Sequence, residues 1–521
     1  MYLVYSKFNL NKLLTIAISM LYLAACAPLL EQTERDLSDE IDSLLVTGLS
    51  DIQDYYITDI NITDLALSGL KNIESSFDDL SFSVDNKNIQ YKINHETVAS
   101  AILPDDQSDV EETAFVLAQF IEDTKNASIL MSSREDDEII SILYDGILEP
   151  LDKFSRYSGP SQALNERDNR EGFGGIGIII KAHPRGAVIE AVNVGDPAEA
   201  AGIHEGDIVV GVNEVATKGM SVNAINRLLR GPEDQSVKVS ILRTGIDTPL
   251  LMDVGRKHIV PNTVFYRLEN GHPVIRVTSF NQRTTKRIED AVSHALQDIN
   301  VTNKGLIIDL RNNPGGLLDK AVDTADLFLN SGILSQINGR NPLSDQLFFA
   351  KTGDITDGAP IIVLINGASA SAAEILTAAL QDNRRALVVG TNSFGKGSVQ
   401  TVLPLPNTGE LILTWAYFQS PKNYPLNEFG ILPNLCTANV INGDALTKDT
   451  MIAHFNEALA PFKVSRNQLR DITPSITNFR RLCPWQPQTE VDVELNFAIQ
   501  MLEDINYYNA ALEFAASSES D

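Results

Sequence analysis

Lys396 lies between two glycines in the stretch N-S-F-G-K-G-S-V-Q at 392–400, and its side chain has the potential for chemistry. With an ordinary pKa of about 10.4, a lysine is charged near neutral pH and cannot act as a base. Burial favours its neutral form, and the neighbouring glycines let another segment approach closely. A neutral lysine can take the proton from a serine hydroxyl and create a nucleophile. Taken alone, Lys396 is better explained as an ordinary turn lysine.

Two stretches could supply the serine. Ser393 and Lys396 form an S-x-x-K pair of the type found in penicillin-binding proteins, but β-branched residues follow and disfavour the required helix, and K-T-G at 351–353 lies upstream instead of downstream. The stretch I-I-V-L-I-N-G-A-S-A-S-A-A-E-I at 361–375 predicts a buried strand, a turn of small residues and a helix. Ser369 and Ser371 lie where free helix N–H groups could stabilise an oxyanion, although both could be only N-caps.

A glycine-rich loop at 172–177, G-F-G-G-I-G, matches G-x-G-x-x-G but leads into the β-prone run I-I-I-K, which excludes a dinucleotide site. Such a loop beside an edge strand suits a peptide carboxylate, with the peptide added as a further strand. From this loop through D-P-A-E-A-A-G-I-H-E-G-D-I-V-V-G-V-N to the helix at 222–229, the sequence resembles a PDZ domain. The resemblance implies that the peptide terminus is bound by Gly175, Ile176, Gly177 and Ile178.

The elements that must position these residues follow from hydrophobic periodicity. Apolar residues recur at helical spacing over 111–151 and again around 493–515. From residue 273 onward, β-like runs such as V-I-R-V and P-I-I-V-L-I alternate with helical stretches at 287–298 and 372–382, which predicts an α/β region with partly parallel strands.

The serine and lysine motifs together resemble a known family. N-G-A-S-A-S-A-A-E-I, the Q-D pair and V-V-G-T-N-S-F-G-K-G-S-V-Q resemble the C-terminal processing peptidases, or tail-specific proteases, of serine peptidase family S41. The family's nucleophile is the serine three before the glutamate, which implies Ser371. Its base, 25 positions later, falls on Lys396. The resemblance further implies that Gln400 orients the lysine and that Asp382 has a supporting role.

Other segments extend the resemblance over about residues 140–434. D-L-R-N-N-P-G-G at 309–316 resembles the family's oxyanion-hole segment, which implies an N–H from Gly316, with Gly315 as the near alternative, and a second from Ala372. L-D-K-F-S-R-Y at 151–157 and the strand at 274–280 also match. The sequence departs from the family at Ala373, where a third serine is usual, and at T-W-A-Y-F-Q-S-P-K-N (414–423), which could alter substrate docking.

The N-terminus and the overall charge limit the cellular environments and partners that fit this protein. The formal net charge of −28 predicts repulsion from nucleic acids. An apolar run at 13–23, too short to span a bilayer, follows two lysines and ends in L-A-A-C, which resembles a bacterial lipobox and implies lipidation of Cys26. An ordinary cleavage site with a chance cysteine stays open. Cys436 and Cys483 could be paired or be separate buried thiols, and neither has metal-ligand spacing.

These observations predict a multidomain α+β protein with a helical N-terminal region, a PDZ domain and a crotonase-like protease core. The expected segments are signal peptide 1–25, tether and small helical or mixed region 26–110, helical part 111–165, PDZ domain 166–258, core 259–440 and C-terminal region 441–521. The expected function is a lipid-anchored envelope serine endopeptidase, facing the periplasm and needing no cofactor or metal. Its expected partners are polypeptides with accessible C-termini, and an adaptor lipoprotein and oligomers are also compatible with the sequence. The alternative function is a catalytically inactive PDZ scaffold or adaptor lipoprotein.

Overall fold

The computed structural model describes residues 37–517 except for 86, 299–300, 302–304, 352, 424, 439–478 and 486–491. The predicted signal peptide and Cys26 lie outside the described residues. The described chain divides into two compact units, one of residues 37–50 and 61–147 and one of residues 51–60 and 148–517. No helix in the described ranges has the length and apolar character to cross a membrane.

The elements up to residue 148 combine helices with one small sheet. Buried Tyr91 and Phe120 meet edge to face in the core of the first unit, with ring centroids 4.6 Å apart. The region before residue 110 is therefore mixed, and the helices predicted over 111–151 are confirmed. The elements are α1 (Leu37–Tyr55), α2 (Ile62–Ser76), antiparallel strands β1 (Leu80–Asp85), β2 (Asn88–Ile93) and β3 (Glu96–Ile102), and helices α3 (Val110–Ala127), α4 (Ile129–Ser132) and α5 (Asp136–Leu148).

The PDZ region is an antiparallel sheet closed by two short helices. It is preceded by β4 (Arg156–Ser158) and α6 (Pro160–Glu171), and its elements are β5 (Phe173–Gly175), β6 (Ile178–His183), β7 (Gly186–Val192), α7 (Pro197–Ala200), β8 (Ile208–Val212), β9 (Val215–Ala216), α8 (Val222–Leu229), β10 (Ser236–Leu242), β11 (Leu250–Gly255) and β12 (Lys257–Ile259).

Strand order in the PDZ sheet leaves one strand at the edge. The order is β11-β10-β8-β7-β6, with β9 beside β8, while β5 pairs separately with β12. Alternate residues of β10, namely Val237, Val239 and Ile241, are fully buried in the PDZ core. Strand β6 is at the end of this order, beside α8, and in the described part of the chain no strand pairs with its outer edge.

The remaining elements form the predicted α/β region and a second sheet. They are β13 (Val264–Glu269), β14 (His272–Val277), α9 (Thr284–Gln297), β15 (Leu306–Asp309), α10 (Leu318–Asp326), β16 (Ile333–Gly339), a 3-10 turn (Pro342–Ser344), β17 (Gln346–Phe349), β18 (Ile361–Ile365), α11 (Ala372–Asp382), β19 (Ala386–Gly390), β20 (Ser398–Pro404), β21 (Glu410–Gln419), β22 (Leu435–Cys436), α12 (Val493–Glu503) and α13 (Ile505–Ser517).

The central sheet has the order β13-β14-β15-β18-β19-β22, and all its neighbours from β14 onward are parallel. Side chains alternate along β18. Ile361, Val363 and Ile365 lie in the core on one face of the sheet, together with residues of α9, α10 and α11. Ile362 and Leu364 lie in the core on the opposite face. Helices α12 and α13 cover that second face, so the C-terminal helical pattern completes the core. The ends of β15 and β18 carry the Gly315 and Ser371 turns.

The second sheet brings the lysine segment to the core. Its order is β17-β16-β21-β20, and the short strand β4 pairs with β21. Strand β20 begins two residues after Lys396 and carries Gln400. Cys436, at the end of β22, forms a disulfide with Cys483, which decides between the two states that the sequence left open.

Candidate active site

Ser371 lies at the turn between β18 and α11, in a backbone conformation that is unusual for a side chain. Its φ is +54° and its ψ −117°, a strained combination outside glycine. The neighbouring Ser369 is fully buried, and its hydroxyl donates to the carbonyl of Leu310 (2.9 Å) and accepts from the N–H of Asn366 (2.9 Å). Ser369 is thus part of the turn's internal bonding, whereas Ser371 is only partly buried.

Glu374 is the residue that joins the serine turn to the lysine loop. Its buried carboxylate accepts the N–H groups of Ser371 (2.7 Å), Gly395 (2.7 Å) and Lys396 (2.9 Å), and the hydroxyl of Ser393. Burial raises the pKa of this carboxyl, and the four donors oppose the rise because each stabilises the anion. The three backbone N–H groups can only donate, so they favour the ionised carboxylate.

Ser393 does not have the environment of a nucleophile. Its side chain is fully buried. Its hydroxyl donates to Glu374 and accepts from the N–H of Ile431 at 2.6 Å. These bonds fix the loop 391–397, so Ser393 helps to hold the backbone of Lys396 in place.

Lys396 is partly buried in that loop, and its ammonium nitrogen lies 4.9 Å from the ring centroid of Phe154. Burial lowers the pKa of Lys396, the positive charge of Arg156 lowers it further, and Asp152 and Glu374 act in the opposite direction. The net direction is toward the neutral amine, which is the form a base requires. The flanking glycines are predicted to let another segment approach closely. Gly397 agrees, because a Cβ atom there would lie 2.2 Å from the backbone nitrogen of Asn427.

Two backbone N–H groups near Ser371 are available to an oxyanion. Gly315 is committed to the fold, because its N–H donates to Asn313 (2.8 Å) and its carbonyl accepts from Phe280 (2.9 Å). A Cβ on Gly315 would lie 2.8 Å from that of Ser371, which shows how closely the two turns meet. Among the described residues, the N–H groups of Gly316 and Ala372 donate to no acceptor. The geometry therefore favours Gly316 over Gly315.

Comparison with known proteins agrees with this arrangement. The model of peptidase family S41 matches residues 273–436, and a PDZ domain model matches residues 188–243. The Carboxy-terminal-processing protease of Bartonella bacilliformis is 39% identical over 305 residues, which are 58% of this chain and 70% of the relative. The chain belongs to peptidase family S41.

Two further matches are less similar in sequence. This S41 peptidase is 33% identical over 298 residues to the Carboxyl-terminal-processing protease of a Synechocystis strain, covering 55% of this chain and 68% of the relative. The solved structure of a photosystem II D1 C-terminal processing protease is 24% identical, covers 75% of this chain and 92% of its own, and superposes with a TM-score of 0.36.

Gln400 of the S41 peptidase lies in a polar network beside the lysine loop. Its amide nitrogen donates to the hydroxyls of Ser398 (2.9 Å) and Thr414 (3.1 Å), and Thr414 donates in turn to Asp152 (3.1 Å). Its predicted role in orienting Lys396 stays a prediction. Asp382, at the end of α11, accepts the backbone N–H of Lys422 (3.2 Å), which agrees with a supporting position.

The segment 152–156 supplies residues that sequence reasoning did not assign to the site. Asp152 accepts the backbone N–H of Phe154 (2.8 Å) and the hydroxyl of Ser155 (2.6 Å), which shapes the segment. The ring of Phe154 lies beside the side-chain nitrogen of Lys396, and the positive charge of Arg156 lowers the pKa of Lys396. The sequence signal for this segment is L-D-K-F-S-R-Y, although the resemblance to the family implies no role for its individual residues.

The PDZ loop of the S41 peptidase is built as the sequence predicts for a peptide site. The carbonyls of Ile176 and Gly177 accept the N–H groups of Ala198 (2.9 Å) and Asn193 (3.0 Å), while within the described residues their own N–H groups have no acceptor. Gly177 has φ +82°, and a Cβ there would lie 2.2 Å from the Cβ of Asp196. Gly175 pairs with Lys257, and Ile178 begins the edge strand β6. Peptide binding by these residues stays a prediction.

Proposed function

We propose that this S41 peptidase is a serine endopeptidase of the bacterial cell envelope that cleaves proteins at or near their C-termini. Ser371 is the nucleophile and Lys396 is the base. The observation that carries this proposal is the buried Glu374 carboxylate, which accepts the backbone N–H groups of both residues and thereby brings the two turns together. The strained backbone of Ser371 and the lowered pKa of Lys396 support the same roles.

The reaction follows from these groups. The neutral amine of Lys396 takes the proton of the Ser371 hydroxyl, and the serine oxygen attacks the scissile carbonyl. The N–H groups of Gly316 and Ala372 stabilise the oxyanion, since neither is used within the described fold. The lysine ammonium then protonates the leaving amine, which leaves an acyl-enzyme. Water, deprotonated by the same lysine, hydrolyses this ester and restores Ser371.

The PDZ domain supplies substrate capture in this proposal. A peptide that pairs with the outer edge of β6 would place its terminal carboxylate at the loop 175–178, where two N–H groups are free within the described fold. The names of the relatives, which refer to processing of carboxyl termini, agree with this preference. The acyl anchor at Cys26 would keep the enzyme at the membrane surface.

The central test compares the wild type with Ser371→Ala and Lys396→Ala. Both variants should lose casein cleavage, because residual transition-state binding alone leaves activity several orders of magnitude lower. Both should retain the melting temperature within a few degrees. Ser161→Ala is the control, since it removes a serine hydroxyl at an exposed position. Full activity of Ser371→Ala would refute the assignment, and an inactive wild type would favour the PDZ scaffold.

Substrate class and anchoring need separate measurements. Mass spectrometry of newly formed C-termini, in cells with wild type and with Ser371→Ala, should show trimmed protein ends that depend on Ser371. Cys26→Ala should move the protein from the membrane fraction to the soluble fraction while casein cleavage is unchanged. Retention of that variant in the membrane fraction would refute the lipid anchor but not the catalytic proposal.

A further inference from the structure

A short segment outside the family match, residues 479–485, lies against the loop that carries Lys396. The guanidinium of Arg480 donates to three backbone carbonyls there. One terminal nitrogen bonds to Ser393 and Phe394, each at 2.9 Å, and the other bonds to Glu428 at 3.1 Å. Arg480 thus joins the lysine loop to the neighbouring turn 427–430.

These two backbone segments meet on either side of Lys396. The N–H of Glu428 donates to the carbonyl of Gly395 at 2.8 Å, and Gly397 is in close contact with Asn427. A planar guanidinium with several fixed donors can hold carbonyls of both segments at once, which a lysine ammonium on a flexible stem does less well. The position of Arg480 therefore fixes the spacing of the two backbone segments beside Lys396.

The segment itself is anchored at several points. Cys483 forms the disulfide with Cys436, which ends strand β22 of the central sheet. The carbonyl of Cys483 accepts the N–H of Asn392, in the lysine loop, at 3.1 Å. The ring of Phe479 packs edge to face on Phe429, with centroids 5.5 Å apart.

The same segment also reaches the serine turn. A Cβ atom on Gly367, four residues before Ser371, would lie 2.4 Å from the indole of Trp485. The segment 479–485 is therefore in contact with the turn of the nucleophile and with the loop of the base. A displacement of this segment would alter both.

We propose that Arg480 is a positioning residue for the base Lys396, and that the Cys436–Cys483 disulfide holds Arg480 in place. The inference rests on the proposed function, because Lys396 matters to the rate only if it is the base. Loss of Arg480 loosens the loop, admits water around the amine and moves Lys396 away from Ser371. Reduction of the disulfide releases the same segment and has the same effect.

The first experiment compares Arg480→Gln with Arg481→Gln in the full chain. Arg481 is the matched control, since it is adjacent, exposed and carries the same charge. With a quenched fluorescent peptide, Arg480→Gln should lower kcat by about 10- to 100-fold with KM nearly unchanged, because misplacement of a reacting group by about 1 Å costs this much. Arg481→Gln should retain wild-type kcat.

The pH profile separates positioning from loss of folded enzyme. Renewed hydration favours the ammonium, so in Arg480→Gln the rise of kcat/KM should move to higher pH. A smaller folded fraction would lower the whole profile without moving it. Arg480→Lys keeps the charge but not the three-carbonyl bonding, so it should restore less than half of the lost kcat. Full recovery in Arg480→Lys, or an unmoved pH profile in Arg480→Gln, would overturn the proposal.

The disulfide is tested with dithiothreitol on the wild type and on Arg480→Gln, with free thiols counted after reduction. Reduction should lower wild-type kcat and move its pH profile as Arg480→Gln does. It should have little additional effect on Arg480→Gln, because the two changes act through one contact. Equal losses in both proteins would overturn the link between disulfide and Arg480. Activity that survives Ser371→Ala would instead refute the underlying catalytic proposal.

Discussion

At the residue scale, the site depends on a buried carboxylate that does not itself react. Glu374 accepts hydrogen bonds from the turn of the proposed nucleophile and from the loop of the proposed base. Charge-assisted hydrogen bonds are shorter and stronger than neutral ones, so the anion can hold two backbone segments that are distant in sequence. Ser393 completes the set, which explains why an S-x-x-K spacing is present without being a catalytic motif.

Glu374→Gln tests this role directly. The amide has one acceptor oxygen and an NH₂ group that faces donors, so at least one buried donor loses its partner. The free energy of unfolding should fall by about 1–3 kcal/mol, and casein cleavage by more than about tenfold. Urea titration and initial rates measure the two effects. Glu205→Gln, at an exposed position, is the control. An unchanged variant would indicate that the carboxyl of Glu374 is protonated.

The second residue-scale prediction concerns pH. A base must be neutral, and the pKa of Lys396 is lowered by burial and by Arg156, so kcat/KM should rise with pH below the ordinary lysine range. Arg156→Gln removes one of the lowering influences, so the rise should move to higher pH. At neutral pH the loss should be roughly two- to fivefold, since such a charge contributes on the order of 1 kcal/mol or less.

The control for this experiment is Arg227→Gln, which removes an exposed positive charge from α8 of the PDZ domain. Its pH profile should coincide with that of the wild type. A shift of the Arg156→Gln profile to lower pH would contradict the electrostatic account. Added salt should reduce the difference between Arg156→Gln and wild type, because salt screens exposed charges.

At the element scale, parallel strands and the glycine-rich turns at their ends bring the site together. Strands β15 and β18 are adjacent and parallel, so the turns that follow them meet at one edge of the sheet. The first turn presents Gly315 and Gly316, and the second presents Ser371 at the start of α11. The antiparallel pair β20 and β21 belongs to the second sheet, and Lys396 and Gln400 reach the site from that sheet.

The PDZ sheet permits a prediction of its own, because β6 has an open edge in the described fold. The Ser371→Ala enzyme should bind a fluorescent peptide with a free C-terminal carboxylate about tenfold or more tightly than its C-terminal amide, since hydrogen bonds to charged groups contribute about 1.5–3 kcal/mol. Gly177→Ala should remove this preference because a Cβ there overlaps Asp196. Gly245→Ala, another positive-φ glycine with no atom near its Cβ, is the control.

At the scale of the whole molecule, the C-terminal helices are part of the protease core. Helices α12 and α13 bury one face of the central sheet, and Arg311 ties α12 to the segment 309–316 through Asp309 (2.8 Å) and Asp492 (2.6 Å). Burial of Arg311 alone would be costly, but its paired carboxylates satisfy the guanidinium. The chain beyond the family match therefore stabilises the fold as well as the lysine loop.

Phe497→Ala tests the contribution of α12. Phe497 is fully buried, so its removal should lower the free energy of unfolding by about 3–5 kcal/mol. The kcat of the folded enzyme should be unchanged, because the cavity lies on the sheet face away from α11. Phe115→Ala is the control, since this ring is 57% exposed and should cost little. Denaturation that is unaffected by Phe497→Ala would show that α12 is dispensable.

The sequence by itself determined the elements and indicated the proposed reacting residues. Periodicity predicted the buried strand at 361–365 and the helix at 372–382, and both are confirmed, because a helix and a strand repeat over a few residues and leave that repeat in the sequence. Motif spacing indicates Ser371 and Lys396, since the resemblance to family S41 implies a serine and a lysine 25 positions apart. The choice between the neighbouring serines also depended on that spacing.

Only the tertiary structure decided how these residues are held. In the sequence Glu374 only marks Ser371 by its spacing, whereas in the structure it accepts hydrogen bonds from four donors in two turns. The sequence left the pairing of Cys436 with Cys483 open, and it carries no signal for the contact of Arg480 with the lysine loop. The reason is physical: a hydrogen bond or disulfide between remote segments depends on where the core places their backbones, and no local repeat records that position.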